Sequence, residues 1–178
     1  MKKRFNVKRI LITGLIVFVC YILQTCLFPH LTFARIKPNL LVILVSAYGF
    51  MGGKRTGMLV GFFAGFLLDN TFGTVAGFHM IFYTLLGYIN GIFSRIFFDD
   101  DIKLPIILIS LSDLAYGLVF YFIAFMLAGD FRFGYYLLRI ILPETIYTMV
   151  IAIVLYPIIL YISHRLASAE QRSASRFV

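Results

Sequence analysis

Apolar residues in this chain come in long runs, not in stripes along one helical face. Residues 10–23 are apolar nearly all round, and the run, over residues 10–28, closes at Pro29. Five more runs follow, predicting helices over residues 10–28, 38–53, 56–70, 75–98, 104–128 and 137–163. A helix crossing the hydrocarbon core needs about 20 residues, within a range of roughly 17 to 25. The second and third runs, with apolar cores at residues 39–51 and 57–68, fall short of that length. Either they are two crossings lengthened by interfacial residues, or they form one re-entrant hairpin. The turn Gly52-Gly53-Lys54-Arg55 favours crossings. A re-entrant tip would hold two cations at membrane depth, at about 2.5 to 3.5 kcal/mol each.

Composition moves the reading from helical protein to integral membrane protein. Of the 178 residues 61% are hydrophobic and 13% charged, and mean hydropathy is +0.95. Soluble domains run about 45 to 50% apolar and about 25% charged. The expectation is an all-α integral membrane protein, a compact bundle of six transmembrane helices. Residues 1–166 form its single domain and residues 167–178 a short polar cytoplasmic tail. The formal charge of +8 does not point to nucleic acid, because the 16 Lys and Arg sit mainly at the ends of apolar runs. There they meet lipid headgroups and set orientation. With the N-terminus inside, Lys2, Lys3, Arg4, Lys8, Arg9, Lys54, Arg55, Arg95, Lys103, Arg165, Arg172 and Arg176 are cytoplasmic. Only Arg35, Lys37, Arg132 and Arg139 face outward. The positive-inside rule therefore predicts six spans with both termini cytoplasmic.

The basic N-terminus before an apolar run also has the outline of a secretory signal. Phe28-Pro29-His30-Leu31 offers no small-x-small cleavage site, so an uncleaved first helix is expected. Cys20 and Cys26, six apart on one helix, point to different faces and predict neither a disulfide nor a metal site.

Motifs of chemistry are sparse. Around Gly53 and Lys54 the chain superficially resembles a phosphate loop, yet Tyr48 stands where the first Gly is required and Arg55 where Ser or Thr is. No HExxH, GxSxG or CxxC occurs. These features predict a protein without catalytic residues, metal or cofactor. What remains is a set of small and polar residues at helical spacing. Gly57, Gly61 and Gly65, with Asp69 one turn on, share one face of the third helix. Small residues so spaced let helix backbones approach closely, within the chain or against a partner. In the fourth helix His79, Tyr83, Gly87, Asn90 and Ser94 fall on one stripe, and Gly87 and Gly91 form a small-xxx-small pair. In lipid that stripe faces inward, to line a cavity or seat a neighbouring helix. Asp113 lies about 15 Å from the inner end of its helix, near mid-bilayer. Glu144 lies nearer the outer face, five positions after Arg139 as a candidate partner. Each carboxylate is either a buried hydrogen-bonding group that fixes helix register or part of a proton or ligand path.

Taken in order, Pro38-Asn39-Leu40-Leu41-Val42-Ile43-Leu44, the Gly61 to Gly65 spacing leading to Leu68-Asp69, and Gly77-Phe78-His79 followed by Leu86-Gly87-Tyr88 resemble the MreD family of rod shape-determining membrane proteins. The resemblance rests on residues 38–98, with the last third matching mainly in pattern. It implies a non-enzymatic scaffold subunit of the bacterial cell-elongation machinery. The partners it implies are MreC, with one span, and the MreB filament, together with the RodA and penicillin-binding peptidoglycan synthases. It also implies a fold like that of the substrate-binding subunits of energy-coupling-factor transporters. A vitamin-binding subunit of that kind is the alternative function. Such subunits usually dock through an Ala-x-x-x-Ala face of the first helix, and residues 10–28 contain no Ala.

Overall fold

The computed structural model describes residues 7–27, 36–72, 77–96, 102–126, 129 and 131–174. Residue 28, residues 75–76, 97–98 and 127–128 of the expected spans lie outside these. So do Lys2, Lys3, Arg4, Arg35 and Arg176 of the charge pattern. Among the described residues there are six helices and no strand. Helix α1, Val7–Ile22, runs on as a π-turn, Leu23–Leu27. Helices α2, Leu40–Gly52, and α3, Lys54–Phe72, are separated by one residue. Helix α4 is Phe78–Ile92, and α5 is Lys103–Tyr121, extended by a π-turn at Phe122–Met126. The last helical run, α6, starts as Phe133–Tyr136, passes a π-turn at Leu137–Ile141, and continues as Leu142–Ala174.

Helix α2 sits at the centre, and its sequence explains why. A helix apolar on every side either is enclosed by protein or faces lipid, and this one is enclosed. Every residue from Leu40 to Phe50 is buried, and Leu41 through Val45 are 0% exposed. Helices α1, α3, α4, α5 and α6 all pack against it. Its 13 residues reach only about 20 Å, short of a hydrocarbon core of about 30 Å. Among the described residues three stretches are long and apolar enough to cross a membrane: Arg9–Cys26, Lys103–Met126 and Phe133–Leu166. These carry outward rows of large apolar side chains, among them Leu11, Leu15, Ile107, Leu111, Val150 and Val154.

The turn from α2 to α3 is set by one glycine. Gly53 has φ 82° and ψ 177°, a region open in practice only to glycine. Its N–H donates to the Gly49 carbonyl at 2.9 Å, which closes α2, and the next residue already begins α3. Lys54 and Arg55 are therefore exposed first-turn residues of α3, not loop residues, and the Lys54 ammonium lies 5.1 Å from the centre of the Tyr88 ring.

Helices α3 and α4 meet almost backbone to backbone. A Cβ on Gly57 would fall 2.2 Å from the Gly87 carbonyl oxygen, and one on Gly61 would fall 2.1 Å from that of Tyr83. On Gly65 it would lie 2.4 Å from the His79 oxygen, and on Gly91 2.4 Å from Lys54 Cα. Van der Waals contact of this closeness replaces the hydrophobic drive that is missing between helices in lipid. At the other end of the chain, α6 continues to Ala174, through part of the stretch read as a polar tail. Ala167, Ala169, Glu170, Gln171 and Arg172 are all good helix formers and prolong a helix already nucleated by packing.

Candidate functional site

The start of α2 is a helix end sealed away from water, and the residues around it define the site. The first N–H groups of any helix lack intrahelical acceptors, and a buried helix must find them elsewhere. Here side chains from three helices supply them. Asn39 is the N-cap, with its side-chain oxygen accepting from the Val42 N–H at 3.3 Å. The Leu41 N–H donates to Gln24 Oε1 at 3.0 Å, from the π-turn of α1. The Asn39 N–H donates to Thr148 Oγ1 of α6 at 3.0 Å. Asn39 Oδ1 accepts further bonds from the Tyr83 hydroxyl at 3.0 Å and from Gln24 Nε2 at 3.4 Å. Asn39 is 2% exposed and Thr148 and Tyr83 are 0% exposed. Pro38, the first residue of the helix expected over residues 38–53, stands one position before the cap. Asn is among the strongest N-cap residues, and that preference outweighs the preference of Pro for the first turn.

Asp113 of α5 joins this cluster. Asn39, Thr145 and Thr148 stand around its carboxyl group. None is aligned closely enough to hydrogen-bond either oxygen, and Thr145 Oγ1 is likewise buried without a hydrogen-bond partner. Glu144 lies on the same side of the bundle, with Asp113 and Lys37 as charged neighbours. Its basic neighbour is thus Lys37, ahead of α2, and not Arg139. Arg139 lies in the π-turn and is exposed.

The stripe on α4 divides. Its N-terminal end belongs to a carboxylate cap. Asp69, at the end of α3, accepts from the His79 N–H at 3.1 Å and the Met80 N–H at 2.9 Å, and lies 2.8 Å from His79 Nδ1. A negative group at a helix N-terminus is stabilised both by those N–H donors and by the helix dipole. The His79 ring is enclosed by the rings of Phe78, Tyr83, Tyr116 and Phe120 at centroid distances of 5.2 to 6.5 Å. The middle of α4, Gly87 with Gly91, is spent on contact with α3. Farther along, Asn90 Nδ2 donates to Ser112 Oγ of α5 at 2.9 Å and to the Leu86 carbonyl at 3.0 Å.

The structure thus brings Asn39, Tyr83, Asp113 and Glu144 together and keeps His79 with Asp69 and Asn90 with Ser112 as separate groups. Sequence reasoning missed Gln24, Thr145 and Lys37. A Gln inside an otherwise apolar run was the available signal for the first, since such a group needs an internal partner.

Described residues that are helical throughout, with three membrane-length apolar helices among them and a polar cluster sealed in the core, define a helical membrane protein. The chain belongs to the MreD family: the family described as rod shape-determining protein MreD matches residues 4–165. That membership assigns it to bacterial membrane proteins of cell-shape determination. Neither a curated protein nor a solved structure matches it significantly.

Proposed function

We propose that this protein is a non-enzymatic scaffold in the membrane, one that holds other membrane proteins of the elongation machinery in place. The observation that carries the reading is where its close-packing residues are used. Gly57, Gly61, Gly65, Gly87 and Gly91 are all consumed inside the chain, between α3 and α4, and α2 is fully enclosed. The result is a stiff core whose outer surface consists of apolar helix faces for lipid and partner helices. An MreC-like protein with one span and a large outer domain is the partner of first choice. RodA-type and penicillin-binding synthases and MreB filaments would join directly or through it. Six crossings with both termini cytoplasmic suit that assembly, because twelve of the 16 basic residues then face the cytoplasm.

Two measurements test this. Depletion in a rod-shaped host gives round, widening cells, and the tagged chain retains an MreC-like protein through purification in mild detergent. A thiol placed at position 130 reacts with an impermeant reagent in intact cells and one at position 54 does not. A purified chain that carries a vitamin stoichiometrically, and whose loss starves the cell without changing its shape, would replace the scaffold with the transporter subunit.

A further inference from the structure

The helices around α2 differ in apolar length. On α3 the exposed residues Arg55 and Asn70 close the two ends of an outward row that holds Met58, Leu59, Phe62, Phe63 and Phe66. At the helical rise those ends stand about 22 Å apart along the axis. Helix α4 is locked level with it, Met80 beside Gly65 and Lys54 beside Gly91. The outward row of α4 runs from Ile81 to Ile92, between those levels, and exposed Arg95 follows it. Lys54 does not lengthen the band by reaching away from it, since its ammonium lies over the Tyr88 ring. Helices α5 and α6, which also pack on α2, are longer. Lys103–Met126 has 24 residues, about 36 Å, and the exposed Arg139 and Arg165 of α6 stand about 39 Å apart.

A hydrocarbon core of about 30 Å suits α5 and α6 once they tilt. It does not suit α3 and α4, because tilt only shortens a helix's reach. Tilting the whole bundle until about 36 Å becomes about 22 Å would take about 50°, outside the usual range of about 0 to 40°. The lipid beside α3 and α4 therefore has to adjust. We propose that the α3–α4 face is a docking surface for phospholipids with short acyl chains, and that it thins the bilayer on that side of the bundle. A partner helix long enough to span about 30 Å would carry apolar residues past Arg55 and Asn70, whereas short acyl chains end level with them. The inference goes beyond the scaffold reading and does not rest on it, since it requires no protein partner.

The chain contains no Trp, so a single introduced Trp reports alone. Full-length Phe62→Trp, on α3, and Leu111→Trp, on α5, are reconstituted into phosphatidylcholine vesicles. In these, brominated lipid competes with unbrominated lipid of about 14 to about 22 acyl carbons, and quenching of the Trp fluorescence gives the relative affinity of each chain length. For Phe62→Trp the affinity should be highest for the shortest chains and fall about threefold or more toward the longest. For Leu111→Trp it should be highest at about 18 carbons or above. The same chain-length dependence in both variants overturns the proposal. Fluorescence of Phe62→Trp that no brominated lipid quenches overturns it as well, because a second copy of the chain then covers the face. If Phe62→Trp does not accumulate, Leu85→Trp on α4 reads the same face.

Discussion

Adding a single methyl group at Gly61 puts the helix contact to a quantitative test. The Cβ of Gly61→Ala would fall 2.1 Å from the Tyr83 carbonyl oxygen, 2.6 Å from its carbon and 3.0 Å from Thr84 Cα. All three are backbone atoms, so no rotamer change relieves the overlap. The helices have to separate by about 1 Å, and the contacts of Gly57 with Gly87 and of Gly65 with His79 are then opened too. A gap of 0.5 to 1 Å forfeits about a quarter to a half of each van der Waals contact along the seam. Overpacking of this kind costs about 1 to 3 kcal/mol, and the backbone nature of the clash places Gly61→Ala at the upper end. That corresponds to a folded-to-unfolded ratio about 5 to 150 times smaller. Gly14→Ala is the matched control, because nothing lies within 4 Å of its Cβ position on the outward face of α1. There the change should be neutral or stabilising by up to about 1 kcal/mol, from helix propensity alone. Reversible unfolding in mixed micelles reads both variants. If Gly61→Ala proves as stable as the parent chain, α3 and α4 do not approach as described and the argument fails.

The same assay tests the buried polar groups. Thr148→Val leaves the Asn39 N–H without its acceptor and should lower stability by about 1 to 3 kcal/mol, whereas Thr148→Ser should recover most of it. A Val variant as stable as the Ser variant would mean that the hydroxyl does not cap α2. Asp69→Leu removes the acceptor shared by His79 and Met80, with an expected loss of about 0.5 to 2 kcal/mol and faster amide exchange at both residues. Unchanged exchange at those two amides would count against the cap.

How much of this was legible in the sequence depends on the kind of interaction. Helical class follows from local pattern, and so does the special status of Gly57, Gly61, Gly65, Gly87 and Gly91, since a missing side chain at helical spacing is visible in one dimension. Their pairing is not visible, because it depends on the register between α3 and α4. That register is set by the distance from Gly65 to the start of α4, through residues that carry no pattern of their own. Polar residues behave likewise. His79 and Asn90 share a stripe, yet one faces Asp69 and aromatic rings while the other faces Ser112. A stripe tells which residues look inward. It does not tell which of them meet.

Asn39 shows why the central cluster was the least readable part. From sequence it is one residue of a short motif before an apolar run, and its cap role is local. Its other bonds reach Gln24, Tyr83 and Thr148, which lie 15, 44 and 109 positions away. Those bonds exist because α2 is too short and too apolar to begin in water. Once its first turn is buried, every donor there must be satisfied by another helix, and the helices that approach are the ones carrying polar groups at that depth. The length of α2 thus selects the partners of Asn39. A change that lengthened α2 outward, toward water, would release the need for them. The polar cluster, Asp113 included, is in this sense a consequence of ending a helix inside the bundle.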